Sequence, residues 1–156
     1  MRRLAVVLAA VALSAGCGGG SKQPAAPAVA LLTGVHVAGA RVAFDFRTAP
    51  DAVRARFHRP SQIAESGSGR HVPVQGATVV VVSFTPAATA DIEGEDVVPT
   101  YTGPKRIAGS GGPVREVVKA GDFEAQLDWA IGLDARRPFR VERDGTRVTL
   151  AFGARR

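Results

Sequence analysis

Arg54, Arg56 and His58 stand two residues apart in the segment Val53–His58. Residues spaced by two in an extended chain share one face, so all three point the same way. Guanidinium groups pair bidentately with carboxylates and phosphates, which makes this face a candidate anion-binding surface, with Arg47 and Arg59 close by in sequence. The same residues also describe a charged edge strand that discourages sheet-to-sheet aggregation. Tyr101, in a stretch rich in Gly and Pro, is a candidate to stack on a sugar ring, whereas Trp129 falls on an apolar face and reads as core. Arg54, Arg56, His58 and Tyr101 are therefore the candidate ligand-binding residues.

Other groups give less. His36, His58 and His71 lie on separate segments, no two at ligand spacing, and there is no HExxH motif. No serine sits in G-x-S-x-G or S-x-x-K, and Ser66 and Ser68 flank a glycine in a loop. Asp91, Glu93, Glu95 and Asp96 cluster around Gly94. A calcium loop of the EF-hand type closes with a bidentate Glu about twelve positions from its start, and here that place is Thr102. Asp122, Glu124 and Asp128 read as neighbours. Two carboxylates held ~5–9.5 Å apart serve acid–base chemistry in glycan cleavage, but polar residues alternating on an exposed strand explain these three without chemistry. The sequence thus predicts no catalytic residue, no metal and no cofactor: a protein that is not an enzyme.

Cys17 is the only cysteine. Before it come Arg2 and Arg3, the ten-residue apolar run Leu4–Leu13, and the small residues Ser14, Ala15 and Gly16. Ten apolar residues are too few to span a ~30 Å hydrocarbon core, and charge, short apolar run and small residues together form a secretory signal. A cysteine directly after the small residues resembles the lipobox of bacterial lipoproteins, with Ser14 where leucine is usual. The resemblance implies a signal peptide over 1–16, cleavage before Cys17, and a diacylglycerol on its sulfur that anchors the chain to the outer face of the cytoplasmic membrane. Two acyl chains hold a protein stably where one is marginal.

The precursor has 156 residues and a formal charge of +6, from 20 basic and 14 acidic residues. Removing residues 1–16, Arg2 and Arg3 among them, leaves 140 residues at +4. That charge suits an anionic wall or lipid surface and is too weak to argue for nucleic acid. Without a second cysteine, stability must come from a packed core, which a chain of this length can bury. Residues 17–30 read as a lipidated tether. Its thirteen residues Gly18–Ala30, if flexible, span roughly 20 Å.

From residue 31 to residue 153 the dominant period is two. Leu31–Val37, Arg41–Arg47, Val53–His58, His71–Val74 and Ala77–Phe84 read as strands. Val42, Phe44 and Phe46 point inward, as do Val53, Ala55 and Phe57, and the valine run of the fifth strand implies burial on both faces. Val114, Val117 and Val118 have the spacing of one short helix stopped by Gly121. Phe123–Leu133 reads as one strand with Phe123, Ala125, Leu127, Trp129 and Ile131 on its apolar face. Asp144–Gly145 predicts a type I′ hairpin that sets Val141 opposite Val148, Phe139 opposite Leu150 and Glu142 opposite Arg147. The expected fold is all-β: an antiparallel β-sandwich or partly open barrel of about seven or eight strands with one short helix.

TYTGPKRI (100–107), EVVKAGDFEAQLDWAIGLDARRPFRV (116–141), VAFDF (42–46) and GSGRHVPVQG (67–76) together resemble the AMIN-like domain of exported actinobacterial lipoproteins. The resemblance covers Leu31 to Phe152. The family usually has glycine after Phe-Glu, where this chain has Ala125. The resemblance implies a relative of the AMIN β-sandwiches found beside cell-wall amidases and in secretion machinery, and implies peptidoglycan or another wall polymer as ligand. It carries over no ligand residues. Sequence therefore points to a lipid-anchored envelope protein with a non-catalytic wall-binding domain. An accessory lipoprotein binding another envelope protein through a sheet edge is the alternative reading, with a wall-glycan enzyme behind both.

Overall fold

The computed structural model describes residues 28–155 apart from residue 94. The signal peptide, Cys17 and the tether as far as residue 27 lie outside the described residues. Twelve strands follow in order: β1 (Ala30–Ala38), β2 (Arg41–Phe46), β3 (Ala52–His58), β4 (Thr78–Thr85), β5 (Ala87–Ala88), β6 (Ala90–Glu93), β7 (Asp96–Pro99), β8 (Arg106–Ala108), β9 (Val114–Phe123), β10 (Gln126–Leu133), β11 (Phe139–Asp144) and β12 (Arg147–Phe152). They form two five-stranded sheets, β11-β12-β2-β1-β5 (sheet I) and β3-β4-β10-β9-β8 (sheet II), and the separate hairpin β6-β7. Every pairing is antiparallel except the two-residue parallel contact of β5 with β1. The expected all-β sandwich is present. It has more strands than expected because residues 86–113, where the period-two pattern shows no strand, supply β5 to β8.

The core lies between the sheets. Val42, Phe44 and Phe46 of β2 meet Val80, Val82 and Phe84 of β4 and Leu127, Trp129 and Ile131 of β10. The Phe44 ring lies 5.0 Å from that of Phe84 and 6.0 Å from that of Trp129, both tilted, the arrangement aromatic quadrupoles favour. Val53, Ala55 and Phe57 pack on the rim of this core as the period-two pattern requires.

A second, smaller core lies on the outer face of sheet II. The segment between β3 and β4 begins with a 3₁₀ turn (Pro60–Gln62) and folds back over the sheet. It sets Ile63 and Val74 on Val79, Val118, Ala120 and Ala130. His71–Val74, expected as a strand, makes only a single bridge, from His71 to Ala64. The covering segment buries the outer face of β4 at Val79 alone, so the expected burial on both faces holds at that end, while Val81 and Ser83 are half-buried and Thr85 is exposed.

It also explains the main correction. Val114–Ala120 belongs to β9, and the only helical piece among the described residues is the 3₁₀ turn. Val117 faces the central core and Val118 the covered outer face. A register shift between Gly132 and Leu133 brings Val114 back to the central side. A bulged strand buried on both faces thus reproduces the valine spacing of a helix.

Two turns also differ from expectation. Phe123–Leu133 is not one strand: β9 ends at Phe123, β10 begins at Gln126, and Glu124 and Ala125 form the turn with φ of 50° and 57°. The left-handed region costs an L-residue roughly 1–2 kcal/mol. Ala125→Gly is therefore expected to stabilise the domain by about 0.5–1 kcal/mol, read as an upward shift of the thermal midpoint, the relief being partly offset by the greater freedom of glycine in the unfolded chain. At the C-terminal hairpin Asp144 pairs with Arg147, so the loop is Gly145–Thr146, with glycine in the first central position at φ 54°. The pairs are Val141–Leu150, Phe139–Phe152 and Glu142–Thr149. The register slips by two from the expected one, which leaves every side chain on its expected face.

Candidate functional site

β3 is an edge strand of sheet II, and its alternation is strict. Arg54, Arg56 and His58 point outward and exposed beside Ser83, Val81 and Val79 of β4. The covering segment leaves this margin of the sheet bare. The result is a trough of about 420 Å³ with Ala52, Arg54, Arg56 and His58 along one wall, Val81, Ser83 and Thr85 as floor, and Gln126 of β10 on the far side. Three of the four sequence candidates therefore come together in one concavity.

None of the side chains of Arg54, Arg56 and His58 makes an ion pair or side-chain hydrogen bond among the described residues. The opposite face of the sandwich differs. There a depression of about 370 Å³ is lined by His36, Arg41 and Arg147, but also by Glu142 and Asp144. Asp45 of β2 accepts from Arg147 Nε at 2.5 Å and Nη2 at 2.8 Å and lies 2.9 Å from His36 Nε2. Hydrogen bonding from Arg147, with smaller help from His36, holds the Asp45 carboxyl below the ordinary carboxylate value despite its partial burial. Arg41 and Arg140 both bond Glu142. Arg41, Arg140 and Arg147 of sheet I are paired with carboxylates in place, whereas Arg54 and Arg56 of β3 are left free for another partner.

Tyr101 does not join them. Its ring packs edge-on against Trp129, 5.6 Å away, on the inner side of sheet II, and its hydroxyl donates to Pro104 O at 2.9 Å. Burial pushes its phenol above the ordinary value of 10.0. The residue expected to be an open platform is half-buried structure on the wrong side of the sheet, because β10 aims Trp129 at the core and Tyr101 caps it. The exposed aromatic of the outer face is Phe123, 51% accessible, directly across the β9–β10 turn from Gln126. The unrecognised turn hid it, since a continuous strand would have sent it inward.

The three carboxylates read as neighbours are separated by the same turn. Glu124 stands in the turn itself. Asp122 accepts from Lys119 Nζ at 2.7 Å and from the Thr89 hydroxyl. Asp128, 6% exposed, accepts from Ser66 Oγ at 2.6 Å and Gln126 Nε2 at 2.9 Å. Asp122 and the Oδ2 of Asp128 are each held by local partners, while Asp128 Oδ1 is buried without one among the described residues. Among the described residues no group of three His, Cys, Asp or Glu is arranged to hold a metal ion, and no helix is long and apolar enough to cross a membrane. Asp91 of the acidic hairpin lies 3.3 Å from Arg47.

The two packed sheets form an all-β sandwich with a bare margin that carries unpaired arginines. The family comparison agrees: a model of the AMIN-like domain matches residues 26–150, and the chain belongs to that family. Membership associates the domain with the cell wall and the extracytoplasmic envelope. No curated protein and no solved structure matches the chain.

Proposed function

We propose that this is a lipid-anchored, non-catalytic envelope protein whose domain binds peptidoglycan or another wall polymer on the bare outer margin of sheet II. The observation that carries the reading is the exposed, unpaired row Arg54, Arg56 and His58 in a trough that also offers Ser83, Thr85 and Gln126 as neutral hydrogen-bonding groups. Guanidinium groups recognise the carboxylates and phosphates that wall polymers carry. Cys17 and the tether to Ala30 would keep the domain within reach of the membrane surface.

Full-length protein in mild detergent is expected to sediment with purified cell-wall sacculi at low salt and to be released as salt rises. Failure to sediment at any salt overturns wall binding. Loss of the acyl mass on Cys17→Ser tests the anchor separately. A protein partner is the second reading, supported by the hairpin β6–β7, where Ile92 (76% accessible) stands opposite Val97 (68%). One dominant crosslinked protein with no retention on wall material would favour it.

A further inference from the structure

Resting on the wall-binding reading, we infer that the trough takes a linear polyanion, a chain bearing an oxyanion on each repeat, rather than a neutral glycan or a single small anion. Residues two apart on a strand are ~7 Å apart, so Arg54, Arg56 and His58 form a straight ladder of three donors ~13 Å long. A compact anion reaches one rung or bridges two. A chain whose charges recur along its length engages all three at once.

The rest of the lining fits the same ligand. Val81, Ser83, Thr85 and Gln126 carry no charge, so no carboxylate in the trough competes for the rungs or repels an incoming anion. Asp128 lies one strand beyond Ser83, but it is buried and already accepts from Ser66 and Gln126. The Gln126 amide is thus held by Asp128 at the trough's far wall and is oriented before any ligand arrives. The depression on sheet I has cations as well, yet Glu142, Asp144 and Asp45 answer them. Charge complementarity therefore singles out the β3 face. Its concave shape admits a chain between the β3 wall and Gln126.

The test uses the full chain in detergent and four probes: synthetic poly(glycerol phosphate) of graded length, polygalacturonate, inorganic phosphate, and vesicles containing anionic lipid. Affinity for the poly(glycerol phosphate) is expected to rise with its length, with inorganic phosphate far weaker. Arg54→Gln with Arg56→Gln should lower affinity for the long polymer at least tenfold. The salt dependence should also flatten by about 0.7 in log–log slope for each arginine removed, by analogy with single-stranded nucleic acid. Arg115→Gln, which removes one charge from β9 outside the trough, should leave affinity nearly unchanged, and melting curves of all variants should coincide with the parent because these side chains are exposed. Polygalacturonate binding as tightly as the phosphate polymer assigns the ladder to oxyanions in general, and its failure to bind assigns it to phosphodiesters. Both support the inference. Sedimentation with sacculi that persists while neither polymer binds overturns the inference and leaves wall binding standing. Vesicles bound as tightly as the longest polymer overturn it in favour of a membrane surface. Binding to neither sacculi nor polymer overturns both.

Discussion

Gly132→Ala is expected to destabilise the domain by at least about 3 kcal/mol, the upper end of what over-packing costs. A Cβ at this position of β10 would lie 1.8 Å from Gln75 O and 3.0 Å from Gln75 C, both backbone atoms that no side-chain rotation can move aside. The covering segment would have to lift from the sheet. That movement would break the bond from Gln75 N to Glu116 Oε1 (2.5 Å) and loosen Ile63 and Val74 from the outer core. Urea unfolding would register the loss as a lower midpoint, with enhanced proteolysis within residues 59–77 even in native buffer. Gly145→Ala separates the steric effect from the conformational one. Gly145 has φ 54° with nothing within 4 Å, so its replacement should cost only the roughly 1–2 kcal/mol of the left-handed region. Equal losses at the two positions would refute the close-approach account.

Glu116→Ala attacks the same junction from the other strand and is expected to cost about 2–3 kcal/mol. Glu116 is 3% exposed, and its Oε1 accepts from Gln75 N and from Arg106 Nη1 at 2.6 Å, while Arg106 Nη2 donates to Pro73 O at 2.8 Å. Removing one partner of a fully buried pair costs about 3–5 kcal/mol. Arg106 is about half exposed and can turn to water, which lowers the figure, while the Gln75 amide loses its acceptor. Glu116→Gln keeps the acceptor oxygen and should recover part of the loss. Gly132 and Glu116 pair directly across β10 and β9, so the double variant should lose less than the two single losses combined. Additive losses would show that they do not share one junction.

How much of this was legible in the sequence varies with the range of the interaction. The period-two alternation of Val42, Phe44 and Phe46, and of Arg54, Arg56 and His58, is a local property, and those strands and faces stand as read. The β9–β10 turn was not legible because Glu124 and Ala125 carry no turn signal. Their positive φ is imposed by the strands on either side, and the AMIN-like pattern of glycine after Phe-Glu was the one hint. β9 imitated a helix because a covering segment from forty residues upstream buries its second face. The cations of the trough could be found from sequence. Its concavity could not, since the floor and far wall come from β4 and β10. The misplacement of Tyr101 has a similar origin, because a residue in a Gly/Pro-rich stretch gives no sign that it will close over a tryptophan.

The position of β1 has a mechanical consequence. Its first residue, Ala30, bonds to Pro86 O and pairs with Ala87, and its other side runs along β2 from Leu32–Phe46 to Ala38–Arg41. A pull applied along β1 meets antiparallel rungs that lie across its direction. They are strained together rather than opened one after another. The domain therefore meets tension at its entry point in shear, the geometry in which a sheet yields last.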